Sequence, residues 1–132
     1  MKQTTPYYCG PACIAFIAVR FCGHYEGDMS QSGIAGAIGT TTDGTGIKGI
    51  KAGLRLLGLQ PQPVSGKMSF QEAPTSQCVL WDRTRDHWMV GRRRFDGKWE
   101  VFDPETGAES TYEPSQWQKA FFSHWDSYAI FF

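Results

Sequence analysis

The chain contains no asparagine, no long apolar run and no excess of either charge. The longest uninterrupted apolar stretch, residues 12–19, is eight residues, whereas crossing a bilayer as a helix takes roughly 20. A membrane-inserted chain is not expected. Thirteen basic residues are matched by 13 acidic ones, so no overall field draws the protein toward nucleic acid or an anionic membrane. The first residues, Met1-Lys2-Gln3-Thr4-Thr5-Pro6, lack the basic, apolar and small-residue order of a secretory signal, and a cytoplasmic setting is expected. Cysteines are few and unevenly placed: Cys9, Cys13 and Cys22 lie close together and Cys78 lies far away. A disulfide scaffold of this size is usually denser, which favours reduced thiols.

What is present fits one domain over residues 1–132, long enough to bury a core without covalent staples. A first helix is expected to open at Cys9-Gly10-Pro11, where proline suits the first turn, and to stop at Gly23. Its apolar residues lie all round, as in a central helix. Ser30 is placed to cap a short helix over 31–38. Thr45 is the expected cap of a third, with Ile47, Ile50, Leu54 and Leu57 on one face and Gly58 as its stop. After Pro61-Gln62-Pro63 the pattern turns extended, predicting strands over 77–82, 87–94, 98–103 and 127–131. A last helix is expected over 116–122, capped by Ser115. Helices first and an antiparallel sheet second make an α+β arrangement, the helices packed on the sheet.

Catalytic chemistry concentrates at two places. A thiol attacks as thiolate, and the amino end of a helix favours an anion. Cys9 has that placement, and Gly10-Pro11 leaves the backbone after the sulfur uncovered for an oxyanion. Gln3, on a segment held extended before Pro6, is positioned to bring a second donor. Of three histidines only His87 opens a predicted strand, which makes it the candidate base. A catalytic imidazole needs a partner on its other nitrogen. With asparagine absent, Asp103 at the end of the next strand is the natural one.

That pairing depends on the intervening turn. With a three-residue loop Phe95-Asp96-Gly97, Met89 faces Asp103 and His87 projects from the same sheet face two positions along, a diagonal of roughly 7 Å. A two-residue Asp-Gly loop without a bulge would put the two on opposite faces. Asp82, Asp86 and Asp96 read as structural or solvated. Tyr8 and Trp88, beside the candidate nucleophile and base, are candidates for substrate contact, Trp88 as the wall of a subsite that admits only glycine. Gly44-x-Gly46-x-x-Gly49 matches a dinucleotide fingerprint, but no strand precedes it, so its glycines are read as loop-shaping. A zinc site on Cys9, Cys13, Cys22 and His24 has irregular spacing, and neither metal nor cofactor is expected.

Gln3, the Cys9-Gly10-Pro11-Ala12-Cys13 run, His87-Trp88-Met89-Val90, Asp103-Pro104-Glu105-Thr106-Gly107 and the middle stretch from Gly44 to Leu59 together resemble double-glycine leader peptidase domains of bacteriocin-exporting ABC transporters. The resemblance spans nearly the whole chain. It implies a papain-like fold, cleavage after a Gly-Gly pair, and an oxyanion role for Gln3. Tyr8 stands where such domains usually have aspartate, and no membrane or nucleotide-binding segment follows. A toxin domain of an interbacterial effector, acting on a recipient's cytosolic protein and countered by an immunity or inhibitor protein, is therefore one expectation. The others are a bacteriocin-type leader peptidase, a glutamine deamidase or transglutaminase using the same residues, and a non-catalytic peptide-binding or zinc module.

Overall fold

The computed structural model describes residues 1–132, whose backbone groups into two units, Met1–Pro61 with Pro104–Gly107 and Gln62–Asp103 with Ala108–Phe132. No helix is long and apolar enough to cross a membrane, and all four cysteines are free thiols.

The first unit is helical. Helix α1 spans Cys9–Cys22 and buries every residue from Cys9 to Ala18, as its apolar circumference requires. Gly23, with φ of 77°, ends it in the left-handed conformation that glycine adopts without a Cβ penalty. Helix α2 (Gln31–Ile38) begins where Ser30 Oγ accepts the Gly33 amide at 3.1 Å. Helix α3 (Ile47–Leu56) buries Gly49, Ile50, Gly53 and Leu54 on one stripe. Two of its glycines let neighbouring elements come close. A Cβ on Gly53 would lie 2.7 Å from Ile14 Cδ1 of α1, and one on Gly49 would lie 2.9 Å from the Ile38 carbonyl oxygen of α2. The Gly44-x-Gly46-x-x-Gly49 stretch thus shapes a turn and a helix contact. Thr45 does not cap α3. Gly46 occupies the cap position, and the Thr45 hydroxyl instead pairs with that of Thr40 at 2.7 Å in a part-buried position.

The second unit is a six-stranded antiparallel sheet in the order β1-β6-β2-β3-β4-β5, with helix α4 (Pro114–Phe121) inserted before the last strand. The strands are β1 (Gln62–Ser65), β2 (Gln77–Asp82), β3 (His87–Arg93), β4 (Trp99–Asp103), β5 (Ala108–Tyr112) and β6 (Tyr128–Phe131). β1 and β5 were not among the expected strands, and both lie at the edges of the sheet. α4 opens on Glu113, whose carboxylate and the Gln116 side chain form a reciprocal capping box, so Ser115 lies inside the helix and not at its cap. One core of this unit gathers Leu80, Met89, Trp99, Val101, Trp117, Phe122 and Phe131. The Trp99 and Trp117 rings stack at its centre with centroids 3.8 Å apart and planes within 4°.

Candidate active site

The β3–β4 hairpin sets the geometry of the sheet unit's polar end. Its loop has three residues: Arg94 donates its amide to the Lys98 carbonyl at 2.8 Å, Gly97 donates to the Arg94 carbonyl at 3.0 Å, and Gly97 has φ of 90°. Asp96 Oδ1 accepts the Lys98 amide at 3.1 Å and closes the turn from inside. The resulting register pairs Val90 with Phe102 and Gly91 with Val101. Alternation along the strands then brings His87 and Asp103 to one face, and His87 Nε2 lies 2.7 Å from Asp103 Oδ1. The expected turn and the expected contact occur together.

His87 is buried. Because Asp103 holds Nε2, the tautomer that donates to the carboxylate carries its proton on Nε2 and has Nδ1 as its basic nitrogen. The second carboxylate oxygen of Asp103 has a partner that the sequence reading missed. Arg85 Nη2 donates to Asp103 Oδ2 at 3.0 Å while Arg85 Nε donates to Asp82 Oδ2 at 2.9 Å.

Asp82 pairs with His87 across the β2–β3 ladder, so Arg85 sits in the four-residue connection just before the histidine. That connection is tied at several points. Asp82 Oδ1 accepts the Thr84 amide at 3.1 Å and the Thr84 hydroxyl at 2.8 Å. Trp81 Nε1 donates to Asp86 Oδ1 at 2.9 Å, with Asp86 in the left-handed region at φ of 49°. Burial alone would raise the Asp82 carboxyl, but the bonds from Thr84 and Arg85 outweigh it and hold the pKa below the usual carboxylate value. Asp82 and Asp86 are thus structural, the first of the two readings, structural or solvated, that their sequence positions allowed. The only signal for Arg85 was a charged loop residue two positions before the candidate base.

In the helical unit, Cys9 occupies the first turn of α1 and is 7% exposed. The first amides of a helix have no acceptor within it, so the Cys9 N–H points out of the helix end. Tyr8 caps the helix with its backbone carbonyl, which accepts the Ala12 amide at 2.9 Å, and its ring meets that of Tyr7 edge-on. Gly10 is pressed against Thr45, and any Cβ there would collide with the threonine side chain. The turn after Cys9 is therefore fixed from the outside by a hydroxyl that is itself tied to Thr40.

Gln3 lies on a segment clamped at both sides. Its amide donates to the Pro104 carbonyl at 2.7 Å. Gln31, at the start of α2, accepts the Thr4 amide at 2.9 Å and donates to the Lys2 carbonyl at 2.8 Å. The Gln3 side chain folds back on its own segment: Nε2 donates to the carbonyls of Thr5 at 3.0 Å and Pro6 at 3.2 Å, and Oε1 is buried without a partner. Gln31 was not singled out in the sequence, which offers no pattern that marks it. Trp88 is buried and leaves β3 on the face opposite to His87.

Two of the other thiols are shut away from solvent. Cys13 is wholly buried, and burial pushes the Cys78 thiol far above its ordinary range. The zinc reading fails on distance. Cys9 and Cys22 are the first and last residues of α1. At about 1.5 Å per residue they lie ~20 Å apart, too far to share one ion with bonds of about 2.3 Å.

A helical unit opening on a cysteine, and an antiparallel sheet whose third strand opens on a histidine bonded to aspartate, occur here in a fold shared with solved peptidase domains. The peptidase domain of Streptococcus ComA, a bi-functional ABC transporter involved in a quorum sensing pathway, is similar at a TM-score of 0.72 and 20% identity, over 99% of this chain and 94% of that one. A double glycine motif protease from an AMS/PCAT transporter, solved in complex with the leader peptide, is similar at a TM-score of 0.72 and 14% identity, over 99% and 87%. The class is that of cysteine peptidases with a papain-like fold. Within it the chain belongs to the peptidase C39 family, which matches residues 1–132. No curated protein matches it.

Proposed function

We propose that the two units act as one papain-like peptidase domain that hydrolyses the bond after a Gly-Gly pair in a peptide or protein, with Cys9 as nucleophile, His87 as general acid and base, and Asp103 as the residue orienting the histidine. The observation that carries this reading is the 2.7 Å contact between His87 Nε2 and Asp103 Oδ1 in a chain of the C39 family whose first helix opens on Cys9.

In this mechanism His87 Nδ1 takes the proton of the Cys9 thiol, and the sulfur, now thiolate, attacks the carbonyl carbon of the second glycine as a C–S bond forms. The Cys9 amide receives the developing oxyanion. Gln3 supplies the second donor once its side-chain amide turns from the Thr5 and Pro6 carbonyls. Leaving Oε1 buried and unpaired costs about 1–3 kcal/mol, so the resting orientation of Gln3 opposes that turn weakly. His87 gives its Nδ1 proton to the departing amine as the C–N bond breaks. It then takes a proton from water, which attacks the thioester and releases the acid and the thiolate. Asp103 holds Nε2–H throughout and stabilises the imidazolium without taking its proton. Tyr8, next to Cys9, lines the approach to the scissile glycine, whereas Trp88, on the sheet face opposite to His87, does not. No step needs a cofactor.

A synthetic peptide with an internal Gly-Gly and one glutamine tests this by intact mass. The reading expects two fragments, the first ending in Gly-Gly, and none with Cys9→Ala. A single product about one dalton heavier would mean deamidation by the same acyl chemistry and would overturn the peptidase assignment. The toxin role, with its cytosolic target and immunity partner, is tested separately. It expects a growth defect in susceptible cells making the wild-type protein and none in cells making Cys9→Ala; equal growth would remove it.

A further inference from the structure

The geometry points to Arg85 as a positioning residue that holds Asp103 in place for its work on His87. This inference rests on the triad proposed above and extends it by one residue. Asp103 presents two oxygens and uses them for different partners: Oδ1 meets His87 Nε2 at 2.7 Å, and Oδ2 accepts Arg85 Nη2 at 3.0 Å. A carboxylate bonded only through Oδ1 can swing about its χ2 axis. One bonded through both oxygens in different directions cannot swing without breaking an ion pair.

Arg85 is itself held. Its Nε donates to Asp82 Oδ2 at 2.9 Å, and Asp82 is turned toward it because Thr84 occupies Oδ1 through amide and hydroxyl. The Arg85 amide also donates to the Asp82 carbonyl at 3.3 Å, and Nη2 lies 3.4 Å from Met89 Sδ, on the strand position facing Asp103. The guanidinium therefore bridges two carboxylates in a fork that lysine cannot reproduce. Burial works against the Arg85 charge, but the hydrogen bonds to Asp82 and Asp103 outweigh it and keep the guanidinium's pKa above its ordinary value. Arg85 thus sets a permanent cation against Oδ2 while Oδ1 faces His87.

The bridge also lies where solvent can reach it. The Arg85 side chain is 42% exposed, and Arg85, Asp82 and Asp103 share the wall of a cleft of about 290 Å³ within the sheet unit. A small guanidinium ion can enter that cleft and take the place of a missing arginine. An arginine that merely stabilises the loop would not be replaced in this way.

The experiment is steady-state cleavage of a Gly-Gly peptide by the wild type, Arg85→Ala, Arg85→Lys, Arg83→Ala and Asp103→Asn. Each is measured with and without methylguanidinium chloride, against sodium chloride at the same ionic strength. Arg85→Ala is expected to lose about tenfold or more in kcat, in the range typical of residues that orient a site's working groups, with KM little changed. Methylguanidinium is expected to restore part of that loss where sodium chloride does not, and Arg85→Lys to fall between. Arg83, whose guanidinium pairs with Asp126 at 2.7 Å, serves as the control and is expected to keep the wild-type rate. A full wild-type kcat in Arg85→Ala, with Asp103→Asn impaired, would overturn the inference while leaving the triad standing. So would a loss that methylguanidinium does not relieve. A wild-type rate in Asp103→Asn would remove the triad reading itself and Arg85 with it.

Discussion

His87 and Asp103 come within 2.7 Å of each other although they lie 16 positions apart in the chain, because the loop between their strands has three residues. Gly97 takes a φ of 90° there, closed to most side chains. Gly97→Val is expected to cost about 1–3 kcal/mol in stability through backbone strain, measured as a shift in denaturant midpoint. Removing the carboxylate tests the pair directly. In a folded Asp103→Ala variant His87 has no acceptor on Nε2, and peptidase activity should fall by two or more orders of magnitude. Activity close to wild type in that variant would contradict the proposed role of the pair.

Gly10 tests how the turn after Cys9 is held. A Cβ there runs into the Thr45 side chain, and overpacking of this kind costs about 1–3 kcal/mol. Gly10→Ala should therefore lower the thermal midpoint, and adding Thr45→Ala should recover part of the loss. A double-mutant cycle reads the coupling; strictly additive effects would show that the two residues do not press on each other.

Asp82 predicts an acid limb. Its folded pKa lies below the unfolded value of about 3.9. The stabilisation it contributes is therefore present above about pH 4 and is lost as pH falls through the depressed folded value. The stability gap between wild type and Asp82→Asn should stay level from about pH 7 to pH 5 and close below about pH 4. A gap that persists unchanged through acid would contradict the shift and the Thr84 and Arg85 bonds that cause it.

Much of the fold was written in local pattern. α1 could be placed from its apolar circumference and Gly23, and α2 from the Ser30 cap. The β3–β4 register followed once the three-residue loop was chosen. What was hidden depended on neighbours. β1 contains Pro63, which a central strand would reject, yet it pairs with β6 at the sheet's edge. β5, Ala108-Glu109-Ser110-Thr111-Tyr112, is mostly exposed, shows no apolar alternation, and takes its shape from pairing with β4. The caps went astray where a better donor set lay next door: Glu113 and Gln116 formed the box that Ser115 was expected to start. At the candidate site, the contact between His87 and Asp103 was legible because one histidine opens a strand and one aspartate ends the next. Arg85 and Gln31 were not, since a loop arginine and a helix-start glutamine acquire roles only through what the fold sets against them.

The central claim is that Cys9 attacks the carbonyl of a glycine pair with the help of His87. A short peptide ending in Gly-Gly chloromethyl ketone measures this in one step, because attack by an activated thiol leaves a stable thioether whose position peptide mapping by mass spectrometry identifies. The account predicts one adduct, on Cys9, formed rapidly by the wild type and at least about a hundredfold more slowly by His87→Ala, the lower range for loss of a general base. An adduct on Cys13, Cys22 or Cys78 in its place, or a Cys9 adduct formed equally fast without His87, would contradict it.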